Sequence, residues 1–177
     1  MTRISTDATS TPSPTSASTS TPSSAATTMT STAPSRAVPA PRGHYRHFEP
    51  ITTRWMDNDA YGHVNNVVYY SYFDTVVNRY LIEAGALDIE RSAVIGLVVE
   101  THCNYHASVA FPQRIEAGLR VARLGTSSVR YEIGLFAADA PLAAACGHFV
   151  HVYVDRATRR PVAALPPDLH RALQGLL

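Results

Sequence analysis

The chain has 177 residues, fifteen of them basic and fourteen acidic, and a formal net charge of +1. A balance so close to neutral excludes a broad electrostatic surface for nucleic acid or anionic lipid, and one strongly patterned region in this length fits one domain plus a tail. Every basic residue is arginine, which excludes a lysine Schiff base or lysine general base.

Residues 1–40 are almost wholly Ser, Thr, Pro and Ala, with Arg3, Asp7 and Arg36 as their only charges and no periodic apolar face. Such a composition cannot bury a core, so a disordered tail is expected over 1–43 and a folded domain over 44–177. The start lacks the apolar stretch of a secretory signal, and no run is long enough to span a membrane. Cys103 and Cys146 are then expected to be reduced, and the protein cytoplasmic.

Aromatic and β-branched residues from His44 to Trp55, interrupted by Pro50, predict an edge or bulged first strand, because proline cannot donate to a ladder. The segment Arg54-Trp55-Met56-Asp57-Asn58-Asp59-Ala60-Tyr61-Gly62-His63-Val64-Asn65-Asn66 follows, a loop rich in chemistry. Beyond it Tyr69, Phe73, Val76 and Tyr80 recur at helical spacing, opposite Ser71, Asp74, Thr75 and Asn78, so a helix is expected over 66–84. Asn65 or Asn66 is its natural N-cap, and Gly85 can take the left-handed conformation that ends it.

A β-branched run from Ala93 to Ala110 predicts a long strand in which His102, Asn104 and His106 share one face and Cys103 and Tyr105 the other. Alternation over Ile115–Ala122 and Ser128–Leu135, with Gly125-Thr126-Ser127 between, predicts a hairpin. A last strand over Leu142–Val154 and a short helix over Asp168–Leu176 complete the chain. One strand, a long helix and then four strands joined by short turns give an α+β domain whose antiparallel sheet covers one helix.

The motif Asp-x-Asp-x-x-Gly-His-Val-Asn-Asn-x-x-Tyr, Asp57 to Tyr69, resembles the signature of the hotdog-fold acyl-CoA thioesterases of the 4-hydroxybenzoyl-CoA thioesterase-like family, and the likeness in strand order covers about 44–177. The resemblance implies a curved sheet wrapped around a central helix. It implies Asp59 as the catalytic carboxylate and the backbone N–H of Asn66 or Val67 as the group that polarises the thioester carbonyl. It also implies an acyl-CoA or acyl carrier protein thioester as substrate, no cofactor, and a homodimer or homotetramer. Plant acyl-carrier-protein thioesterases share the His-Val-Asn-Asn run, but where they have a functional Asn this chain has Tyr61, so the Asp-centred chemistry is preferred.

Thioester hydrolysis needs a carboxylate that attacks the carbonyl or activates water, and donors aimed at the oxygen where negative charge develops. Asp59 and a helix N-terminus meet those needs. Asp57, two residues earlier, is expected to hold the loop through hydrogen bonds to its backbone. His63 orients the carboxylate, contacts the substrate or fixes the loop; Asn65 and Asn66 are caps first, with holding water or the thioester as a second role. No closed zinc pattern links His102, Cys103, His106, His148 and His151, so no metal is expected. A hotdog dehydratase or hydratase and a non-catalytic acyl-thioester binding module are the alternative functions.

Overall fold

A computed structural model describes residues 37–177, so the part of the expected tail over 1–36 lies outside the described residues. Five strands, β1 (His47–Ile51), β2 (Val94–Tyr105), β3 (Ile115–Leu124), β4 (Ser128–Ala137) and β5 (Ala145–Asp155), accompany two helices, α1 (Val68–Glu83) and α2 (Pro167–Gln174). The strands form one antiparallel sheet in the order β1-β3-β4-β5-β2, the curved sheet and helix of a hotdog fold. Pro50 sits in β1 at the sheet edge, where its missing N–H breaks no inner ladder.

The core lies between sheet and α1. Tyr69, Tyr72, Phe73, Val76, Val77 and Leu81 point inward from the helix, while Ser71, Asp74 and Thr75 face solvent. They meet alternate residues of β3 and β4, among them Ala117, Leu119, Val121, Tyr131, Ile133 and Leu135. Phe73 reaches Gly147 of β5, where an added Cβ would lie 2.3 Å from its ring, so only glycine lets the helix come this close.

The opposite sheet face carries a second small core that periodicity does not reveal. Gly118, Gly134 and Cys146 stand in register across β3, β4 and β5, and the Tyr45 ring lies in the trough they leave, against Phe136, Phe48 and Ala143. The domain therefore starts before His44: Pro41 bridges Leu142, the Arg42 amide donates to the Pro141 carbonyl at 3.3 Å, and the Arg42 guanidinium reaches the Ala140 carbonyl at 2.9 Å.

Helix α1 starts two residues later than expected. Asn65, Asn66 and Val67 form a turn of their own, so neither asparagine is the N-cap; Val67 holds that position without a side-chain cap. The first strand is also shorter than expected, because Trp55–Asp57 coil into a 3₁₀ turn pinned by Asp57. Among the described residues no helix is long and apolar enough to cross a membrane.

Candidate active site

Asp57 is only 1% exposed and all its acceptor capacity is used. One oxygen accepts from the Arg54 backbone N–H at 2.7 Å and the Tyr72 hydroxyl at 2.8 Å; the other accepts from Nε and an Nη of Arg54 at 3.0 and 2.8 Å. Burial by itself would raise its carboxyl pKa, but the bonds from Arg54 and Tyr72 outweigh it and leave the group below its ordinary value. Its backbone carbonyl accepts from the Asn65 amide at 2.8 Å, tying the loop to the turn before α1.

Asp59 stands differently. One oxygen accepts from the Tyr61 amide at 2.8 Å, and the other lies 3.5 Å from Nδ1 of His63. The backbone closes around it: the Asp59 amide donates to the His63 carbonyl at 2.9 Å and the Gly62 amide to the Asp59 carbonyl at 3.1 Å, with Gly62 at φ 83°. Only glycine takes that conformation without strain. The His63 ring stacks on Tyr61, which is 86% exposed.

The turn between loop and helix is bonded at nearly every position. The Val64 amide donates to the Val109 carbonyl at 2.8 Å, the Val68 amide to the Asn65 carbonyl at 2.9 Å, and the Val67 amide to Oδ1 of Asn65 at 3.2 Å. The Asn66 carbonyl accepts from the Tyr105 hydroxyl at 3.1 Å. The Asn66 amide has no acceptor among the described residues. Of the two amides named from sequence, Val67's is thus engaged and Asn66's is free; Oδ1 of Asn65 is engaged as well.

Asp59, His63 and Asn66 line one cleft of about 420 Å³, together with Tyr61, Tyr69 and the segment Tyr105–Ser108. A larger hollow of about 660 Å³ beside Ile51, Thr53, Phe111 and Arg114 contains none of them. Arg120 is paired with Glu132 and Arg130 with Glu100. The histidines of β2 and β5 do not gather around Cys103: His102 stacks on His148, Cys103 packs toward the core, and no group of metal-ligating side chains occurs among the described residues. Sequence reasoning did not single out Tyr72, which pins Asp57, or Tyr105, which reaches the helix start from β2. Tyr105 is separated from Asn66 by helix and loop, and nothing in local spacing links the two.

The sheet, the helix and this motif define an α+β protein of hotdog architecture with Asp59 and Asn66 lining one cleft. The thioesterase-like superfamily model matches residues 53–173, and the chain belongs to that family. It is similar to the PA5185 protein of Pseudomonas aeruginosa, with 60% identity over 78% of this chain and 96% of that one and a TM-score of 0.77. It is also similar to PA2801 of the same organism, described as a candidate thioesterase, with 31% identity over 73% and 98% of the two chains and a TM-score of 0.67. A Thermus thermophilus thioesterase complexed with coenzyme A and zinc shares 27% identity over 75% and 95% of the chains, with a TM-score of 0.63. Among curated proteins no match is found.

Proposed function

We propose that the protein hydrolyses an acyl-CoA, or an acyl carrier protein thioester, to the free acid and thiol. Its family membership and the thioesterases among its structural neighbours support thioester hydrolysis in general, and the neighbour complexed with coenzyme A favours a CoA thioester. The observation that carries the reading is the free Asn66 amide, left open between the bonded amides of Asn65 and Val67, in a residue that lines the same cleft as Asp59.

The thioester carbonyl oxygen accepts from the Asn66 N–H, which stabilises negative charge as the carbonyl carbon becomes tetrahedral. Asp59 acts in one of two ways. As a nucleophile its oxygen bonds to the carbonyl carbon, the C–S bond breaks, the thiolate leaves, and water then cleaves the mixed anhydride. As a base it takes a proton from water, the hydroxide attacks the same carbon, and the C–S bond breaks to release the thiolate, which takes up the proton. His63, 3.5 Å away, orients the carboxylate. The chemistry needs no cofactor.

The test is thiol release from a panel of acyl-CoAs, run beside hydration of crotonyl-CoA. Thiol release without hydration is expected. Hydration without thiol release would replace this reading with a hydratase, and tight binding with neither reaction would replace it with a binding module.

The active form in this proposal is a homodimer. Strand β2 lies at the sheet edge and exposes Leu97, Val98 and Val99, at 38%, 44% and 60%. A long apolar edge is a template for pairing with a second copy. Sedimentation should give a dimer or a tetramer built from dimers, and Val99→Lys should shift it toward monomer. A fully active monomer would contradict the proposal.

A further inference from the structure

Next to Asn66, the Asn65 amide and carbonyl are bonded within the loop and the turn, to the Asp57 carbonyl and the Val68 amide. On its C-terminal side the Asn66 carbonyl has a partner from outside that segment. The Tyr105 hydroxyl donates to it at 3.1 Å from the end of β2. The carbonyl and the free N–H lie on the two peptide units flanking one α-carbon, so holding the first restricts the second.

Tyr105 is well placed to act as a fixed arm. The amides of His106 and Ala107 both donate to the Ala144 carbonyl, at 2.8 and 2.9 Å, which anchors the strand end to the segment before β5. The Tyr105 ring meets Tyr69 edge-on, with centroids 5.0 Å apart and planes at 88°. Desolvation first, then Cys103 and Tyr70, holds the phenol well above its ordinary pKa, so it stays protonated and able to donate at any working pH.

We propose that Tyr105 is a positioning residue for thioester cleavage, acting through the Asn66 carbonyl to aim the Asn66 amide at the substrate oxygen. This rests on the thioesterase reading above. A donor that stabilises a transition state works only if its direction is set in advance, and a small misplacement costs far more in turnover than in ground-state binding. The sheet thereby sets the direction of a donor that belongs to the helix start.

Tyr105→Phe removes one oxygen and keeps the ring against Tyr69. The expected result is a fall in kcat on the order of 10–100-fold, with KM within about twofold and unchanged affinity for a thioether analogue that lacks the carbonyl. A second readout does not depend on turnover. With acyl-CoA held in an Asp59→Asn background, the infrared carbonyl stretch of the bound thioester should lie below its value in water, and adding Tyr105→Phe should move it back. Wild-type kcat and an unmoved carbonyl stretch in Tyr105→Phe, with or without a lower Tm, would overturn the inference and leave the thioesterase reading intact. A wild-type protein that releases no thiol from any acyl-CoA would overturn both.

Discussion

Two carboxylates two residues apart have opposite surroundings. Asp57 is buried and accepts four hydrogen bonds from Arg54 and Tyr72, whereas Asp59 has one amide bond, a loose histidine contact and an open cleft in front of it. A carboxylate whose lone pairs are all engaged holds a loop in place and has nothing left for a substrate. The polar groups of the motif thus divide into a saturated half that builds the turn and an open half, Asp59 and the Asn66 amide, whose residues line the cleft.

After Asp59 itself, the largest expected effect comes from closing the open half at its amide. Asn66→Pro deletes a donor that bonds nothing else among the described residues, so kcat should fall on the order of 10²–10³-fold with folding retained. Steady-state kinetics with a thermal melt would check this. An active proline variant would move the oxyanion donor elsewhere.

Open polar groups also occur away from the cleft, and there the cost falls on stability. His151 is 4% exposed, packs among Tyr131, Phe149 and Tyr153, and neither ring nitrogen has a partner among the described residues. Burial pushes its pKa down to about 4. The unfolded chain then takes up a proton near the ordinary histidine value while the folded one does not. The stability from a neutral His151 is therefore complete above about pH 6.5 and is lost as pH falls toward about 4, a change of roughly 3 kcal/mol. Urea unfolding at pH 7 and pH 5 should show the loss, and His151→Phe should flatten the slope in that window. An equal slope in the variant would assign the titration to another group.

The smallest effect tests the saturated half. Asp57→Asn leaves the Tyr72 hydroxyl and the Arg54 guanidinium with a weaker acceptor, for a loss of about 2–3 kcal/mol read as a lower Tm. Turnover of the folded fraction should change by less than tenfold. A large fall in turnover at unchanged Tm would erase the distinction between the two carboxylates.

Much of this was legible in the chain because the signals are local. Helical spacing over Tyr69–Tyr80, alternation in the hairpin strands and the Asp57–Asn66 motif each depend on residues close in sequence, and they located α1, β3, β4 and the loop before the helix. The helix start was misplaced because Asn65 spends its side chain on the Val67 amide within a separate turn, a choice the sequence does not distinguish from capping. The trough under Tyr45 escaped notice because Gly118, Gly134 and Cys146 become neighbours only once the strand register is known. Tyr105 escaped for the same reason, since its partner Asn66 is brought to it by the sheet.

The most direct measurement is turnover of Asp59→Asn beside Asp57→Asn on the best acyl-CoA, with binding of a thioether analogue and Tm recorded for both. Asp59→Asn removes the charge and preserves the shape, so it should keep Tm and analogue affinity while kcat falls on the order of 10²–10⁴-fold. Near wild-type hydrolysis by Asp59→Asn, with Asp57→Asn folded and inactive, would show that the chemistry belongs to the buried carboxylate and would contradict the account.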